Sequence, residues 1–367
     1  MFHSSRLSLA RKRRGLTKTE LAKLAGVSVR SITGWESDQH EPLPETVDEL
    51  ARVLDFPVGF FEGPDLEELT PDTASFRALS KLTAKQVGRA VAGGTLACAV
   101  HDWLAERFRL PTPDLPQHLD GEDPERAAEV VRMEWGLGEK PIPNMIHLLE
   151  AHGVRVFSLA EDYAELDAFS TWRHGLPFVF LNTKKSGERS RMDAAHELGH
   201  LVLHARAQIT RGREIEKEAR DFASAFLMPK GDVKAHAPRF PSLDQLIVAK
   251  KRWKVAVAAL TYRMHDLGLL SDWQYRSLYM DISRRGYRKN EPEPIKRESS
   301  QVLAKVLAQL RKEGVRKSHI AEALDLPMSE LRALMFGLVM TPLEGSGEGG
   351  KPMSPLGELR LVDGTAG

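Results

Sequence analysis

One cysteine, Cys98, is the whole thiol content of the 367 residues, so an intrachain disulfide framework is excluded. In Ala97-Cys98-Ala99-Val100 it reads as a small core residue rather than a nucleophile. Long hydrophobic runs are also missing. The most apolar stretch, residues 90–100, is interrupted by Gly93-Gly94 and is too short to span a bilayer. Residues 1–14 are basic but lack the apolar segment of a signal peptide. Neither sign of charge dominates, the formal net charge being +1, and no internal repeat stands out. These absences point to a soluble, cytoplasmic protein with no membrane partner. Its length suggests two or three domains with ample core.

Against that plain background, residues 196–200 read His-Glu-Leu-Gly-His. On a helix, positions i and i+4 share a face, so His196 and His200 can turn both imidazoles to one zinc ion. Glu197 is rotated away by one residue, where it can take a proton from a water instead of ligating the metal. Met192-Asp193-Ala194-Ala195 before the motif and Leu201-Val202-Leu203 after it predict a buried helix. A catalytic zinc needs a third protein ligand. His204 lies eight residues from His196, roughly 12 Å along a helix axis, and reads as a packing residue or an outer partner instead. The better candidate is in residues 215–229. There Ala219, Phe222, Ala223 and Phe226 recur at helical spacing, and Pro229 stops the helix. Glu216 stands at the edge of that buried face; Glu218 points elsewhere and reads as a solvated charge.

His-Glu-Leu-Gly-His-Leu-Val-Leu-His, followed by Glu216-Lys217-Glu218-Ala219 and Phe222, Ala223, Phe226-Leu227-Met228-Pro229, resembles the ImmA/IrrE family of metallo-endopeptidases. The resemblance implies Zn2+ as cofactor, His196, His200 and Glu216 as its ligands and Glu197 as the catalytic glutamate. Arg220 stands where the family often has Asn. Residues 175–182, Gly-Leu-Pro-Phe-Val-Phe-Leu-Asn, resemble the family's strand before the active-site helix, and their β-branched and aromatic content predicts a strand independently. At a sheet edge such a strand could pair with an extended substrate; an ordinary core strand is the alternative. His174, His204 and Tyr163 are candidates for the oxyanion or for outer support of the metal.

The N-terminus carries a second pattern. Leu21, Ala22 and Ala25 form one helix face, Gly26 supplies a turn, Ser28 caps the next helix, and Ile32 and Trp35 give that helix a buried side. With Trp35-Glu36 and the loop Glu41-Pro42-Leu43-Pro44, this resembles the Xre/Cro repressor family through about residue 60. Residues 1–30 hold eight Lys or Arg against one acid, Glu20, a local balance of +7. Such a patch is the footprint of phosphate contact, with a helix face used for protein docking as the alternative. By resemblance Lys18 contacts phosphate, and Ser28, Val29, Arg30 and Thr33 lie at or on the recognition helix. Arg30 is suited to reading guanine. Gly34 stands where relatives often carry a base-reading side chain.

The expected architecture is mainly α with an α+β zinc-peptidase domain. A helix-turn-helix bundle (1–62) precedes a helical connector (63–120), helical over 76–110 and a candidate homodimer surface. A peptidase domain (121–290) follows, with a small sheet packed on the H-E-x-x-H helix. Helices are expected at 125–136, from 142, at 246–259 and at 262–270, and a strand at 153–157. Residues 284–294 read as a linker, 298–340 as a C-terminal helical unit and 341–367 as a disordered tail. The family resemblances imply a DNA-binding regulator, its partners duplex DNA and a protein substrate. That substrate would be a helix-turn-helix repressor, cut in stress or mobile-element control. The rival is a transcriptional repressor whose zinc domain is a sensor or structural module.

Overall fold

The computed structural model describes residues 1–69, 83–159, 167–205 and 213–339. By internal contacts the chain divides into two units. One comprises residues 1–110, 157–166 and 301–367, the other residues 111–156 and 167–300. Among the described residues no helix is long and apolar enough to cross a membrane.

The first unit opens with α1 (Ser4–Arg13), α2 (Lys18–Leu24), α3 (Val29–Glu36), α4 (Pro44–Leu54) and α5 (Val58–Glu62). Thr17 and Glu20 form a capping box that starts α2, and Ser28 accepts from the Ser31 amide to start α3. Between them Gly26 takes a φ of +65°, which a side chain would resist. Leu7, Leu21, Ile32, Leu50, Leu54, Phe60 and Phe61 are sealed in the core. Thr83 and Gln86 box the start of α6 (Ala84–Ala105), which packs on α1. Of the helix expected over 76–110, residues 76–82 lie outside the described residues.

The second unit holds α7 (Pro124–Glu134), α8 (Met145–Ala151), β1 (Arg155–Ser158), β2 (Ala168–Arg173), β3 (Leu176–Leu181), α9 (Gly187–Leu203) and α10 (Arg213–Leu227). The contact division falls within β1. The sheet order is β1-β3-β2, with β2 and β3 antiparallel through a hairpin whose turn is His174-Gly175. Of the two readings of residues 175–182, the core strand holds and the edge strand does not: β3 is central, and among the described residues β2 is the last strand, beside α9. Strand β2 was not anticipated.

Helices α11 (Lys230–His236), α12 (Leu243–Trp253), α13 (Val257–Asp266) and α14 (Asp272–Arg284) follow. The single helix expected over 246–259 is broken at Lys254, which adopts φ +56°. The break lets both Trp253 and Val255 point inward. Residues 291–298 are a packed strap rather than a free linker. Glu291 meets the buried Lys250 and accepts from the Val257 amide. The Ile295 amide donates to Glu188. Glu298 pairs with the fully buried Arg191 of α9 and accepts from the Met145 amide at 2.7 Å.

The chain then rejoins the first unit as α15 (Gln301–Lys312), α16 (Lys317–Ala323) and α17 (Met328–Met335). From α17 the buried Glu330 accepts from Arg13 Nε at 2.7 Å and from Arg14 Nη1 at 2.5 Å. Asp325 lies over Gly59, where a Cβ would stand 2.5 Å from its Oδ1. The C-terminal helices therefore pack on the helix-turn-helix bundle.

Candidate metal centre and helix-turn-helix face

Ser186 caps α9, and the buried Ala194, Ala195, Leu198, Leu201 and Val202 fix its inward face. Helix α10 presents Ala219, Phe222, Ala223 and Phe226, all without solvent exposure. Among the described residues the two helices form the most extensive helix pairing. Gly199, inside the H-E-x-x-H motif, permits it. A Cβ there would stand 3.0 Å from Phe222 Cδ1 and 3.2 Å from Ala219 Cα and O. That close approach brings the start of α10 beside the histidines.

There His196, His200 and Glu216 form the group of ligand atoms among the described residues that could hold a metal. The two Nε2 atoms are 3.1 Å apart. Glu216 Oε2 is 3.5 Å from His196 Nε2, and Oε1 is 3.4 Å from His200 Nε2. Tetrahedral bonds of about 2.0–2.1 Å imply donor–donor edges of about 3.3–3.4 Å, so the donor set fits a zinc-sized ion. Burial raises the Glu216 carboxyl, but the facing imidazoles lower it by more, leaving it below the usual carboxylate range. Burial likewise opposes charge on His196, yet the facing Glu216 and the charges of Glu197 and Asp193 hold its pKa above the ordinary value.

Glu197 is 2 % exposed and is not one of the grouped donors. Its Oε2 accepts a 2.7 Å hydrogen bond from Ser170 Oγ, in the middle of β2. Trp172, two residues on, donates its indole N–H to the Leu201 carbonyl and ties β2 to α9. Just before the motif, burial pushes the Asp193 carboxyl up to about 7; Asp167 and Glu197 add to that, and Arg189 and His196 oppose it.

His204, the residue that ends α9, lies beside His200: their Nδ1 atoms are 3.1 Å apart. Its Nε2 is 2.9 Å from Glu218 Oε2. Burial holds the His204 pKa below the ordinary value in spite of the Glu218 contact. Glu218 is thus a histidine's partner, which corrects its reading as a solvated charge. His174 is exposed at the hairpin turn and is not among the grouped donors. Tyr163 lies outside the described residues. Arg220 is exposed and bonds the Glu216 carbonyl.

On α3, Val29, Arg30 and Thr33 are exposed; the Thr33 hydroxyl bonds back to the Val29 carbonyl. Gly34 is covered by His40, whose Cε1 would be 2.1 Å from a Cβ there. The +7 balance of residues 1–30 does not form an open patch. Arg6 bonds the Pro64 carbonyl. Arg11 and Lys18 both pair with Glu36, Lys12 with Glu68, and Arg13 and Arg14 with Glu330. Among the described residues Lys23 and Arg30 are left as the cations of this segment with neither a hydrogen-bond nor an ion-pair partner through their side chains.

Residues 149–265 match the family described as IrrE N-terminal-like domain, whose model is that of the M78 peptidases. Residues 7–61 match the helix-turn-helix family. The chain carries both domains. No curated protein is similar enough to the chain to count as a match. The IrrE-like match spans β1 through most of α13 and includes all three grouped donors. Two parts of the IrrE-like site escaped the sequence reading. Ser170 could have been found from Phe169, Thr171 and Trp172, a short strand composition ending at His174-Gly175. The Glu218 contact had no local signal, because it depends on how α10 lies against the end of α9.

Proposed function

We propose that this protein is a DNA-binding regulator whose IrrE-like domain is a zinc-dependent endopeptidase. The observation that carries this reading is the division of labour on α9. Two imidazoles and Glu216 turn their donor atoms together, while Glu197 stays out of the donor group and is held by Ser170. A purely structural site has no use for that fourth residue. Zinc bound by His196, His200 and Glu216 would supply Lewis acidity to a water and to the scissile carbonyl. Glu197 takes the proton of the attacking water and passes it to the leaving amine. Ser170 keeps the Glu197 carboxylate in one orientation between those two transfers.

The substrate class is a regulatory protein, a helix-turn-helix repressor in stress or mobile-element control, with this chain's own N-terminal unit among the candidates. The helix-turn-helix binds duplex DNA through α3, Lys18, Ser28, Val29, Arg30 and Thr33 forming its contact set. Zinc-loaded protein incubated with the cell's helix-turn-helix repressors should release a discrete fragment. Glu197→Gln should retain the metal and lose cleavage by about 1000-fold or more, because the base is gone and the ligands are not. Cleavage at near wild-type rate by that variant refutes the mechanism. Altered DNA occupancy with no proteolysis by the parent favours a sensor.

A further inference from the structure

We propose that His204 and Glu218 are positioning residues: together they dictate which ring nitrogen of His200 carries the proton. The inference rests on the metal-centre reading above and deepens it. His200 turns Nε2 to His196 and Glu216 and Nδ1 to His204. Two ring nitrogens 3.1 Å apart form a hydrogen bond only if one bears a proton and the other a lone pair.

With both rings neutral, two arrangements satisfy that condition. In the first, His200 Nδ1–H donates to His204 Nδ1, leaving a lone pair on His200 Nε2, aimed into the donor group. His204 then has its proton on Nε2 and donates it to Glu218 Oε2, 2.9 Å away. In the second, His204 Nδ1–H donates to His200 Nδ1. His200 Nε2 then carries a proton and cannot ligate a metal. His204 Nε2 would also turn a lone pair toward a carboxylate that has only lone pairs to offer. Glu218 rejects the second arrangement and so selects the first. The carboxylate acts through two imidazoles to prepare the nitrogen that binds.

The chain of contacts needs all three positions at once. His200 and His204 are one turn apart at the end of α9, and Glu218 is two residues beyond the third donor on α10. Gly199, which sets the spacing of the two helices, therefore serves the outer pair as well as the donor group.

The test uses the full-length, metal-stripped protein and two readouts. Nitrogen-15 NMR of the imidazoles reports the His200 tautomer, and zinc affinity is measured by competition with a chelator. In the parent, His200 should be protonated at Nδ1. Glu218→Ala should mix the tautomers and weaken zinc about tenfold; His204→Leu should weaken it by about 10–100-fold. The double variant should be no worse than His204→Leu, since both act along one path. His204→Asn, whose amide oxygen can still accept from Nδ1–H, should regain part of the loss. Thermal melting checks that each variant is folded, and the parent's tautomer needs no variant at all. An Nε2-protonated His200 in the parent, affinities within twofold of parent for both single variants, or additive losses overturn the proposal. A parent that holds no zinc while showing the Nδ1–H tautomer refutes the metal reading instead.

Discussion

Each unit contains a carboxylate facing two basic side chains, and the kind of base sets the two clusters apart. In the first unit Glu36 meets Arg11 and Lys18 at 2.5 and 3.3 Å, and Glu330 meets Arg13 and Arg14 at 2.7 and 2.5 Å. These groups satisfy one another by direct hydrogen bonds or close ion pairs. In the second unit Glu216 stands 3.5 and 3.4 Å from His196 and His200. That spacing is long for direct hydrogen bonds and matches the edges of a tetrahedron around a zinc-sized ion. The first arrangement neutralises charge within the fold; the second is suited to an added cation. Proximity of opposite charges alone does not separate structure from chemistry, whereas donor type does: guanidinium and ammonium groups have no lone pair to give a metal, and neutral imidazoles have one.

The largest expected effect falls on the spaced cluster. Glu216→Ala should weaken zinc binding by more than about 100-fold, beyond what outer partners contribute. Metal analysis after dialysis checks this, and a variant that keeps its zinc would place Glu216 with the self-satisfied clusters. Next in size is Glu330→Ala, which strands Arg13 in the core of the first unit. Breaking a buried pair by removing one partner costs about 3–5 kcal/mol. Denaturant unfolding of the first unit reads it, with zinc affinity unchanged; a silent substitution would mean that this pair is not a structural neutralisation.

Smaller effects test the charges that remain. Arg30, with no ion pair among the described residues, should on replacement by Ala cost DNA binding about 1–3 kcal/mol and relax preference at one base pair. Lys18→Ala should cost less and lower the salt slope by less than about one, because Lys18 already faces Glu36. Anisotropy titrations over a range of salt measure both, and a reversed order would show that the Lys18 pair opens on DNA. A separate test is a pH slope. Asp193 has its carboxyl raised to about 7 in the fold, against an ordinary value of 3.8. Between those values the native state holds the proton more tightly than the unfolded chain, so stability should fall as pH rises through that window. Melting of the metal-stripped protein from pH 4 to 8 should show the decline, and Asp193→Asn should flatten it.

Spacing along one helix survives folding, which is why His196, Glu197 and His200 could be placed from sequence. The capped turn around Gly26 and Ser28 was legible for the same reason: its geometry is local. Charge counts were less informative. Six of the eight basic residues near the N-terminus have partners in the fold, and those of Arg11, Lys12 and Arg13 lie 25, 56 and 317 residues away. No periodicity announces them. The central place of β3 and the hydroxyl of Ser170 beside Glu197 likewise depend on which strands pair, which the composition of one strand does not state. The packed strap at 291–298 looked like a linker because its prolines break helices. Its buried contacts, through Glu291, Ile295 and Glu298, are made to α8, α9, α12 and α13.

The Arg13–Glu330 contact also bears on the order in which the chain is finished. A ribosome adds about 5–20 residues per second, so the 317 residues between these partners take roughly 15–60 s to make. Throughout that interval the first helix has emerged and its arginine awaits a carboxylate still unsynthesised. The DNA-binding unit, first to leave the ribosome, is among the last to be completed. A transcript broken between residues 300 and 330 would yield a protein that keeps His196, His200 and Glu216 but lacks the partner that closes its N-terminal core.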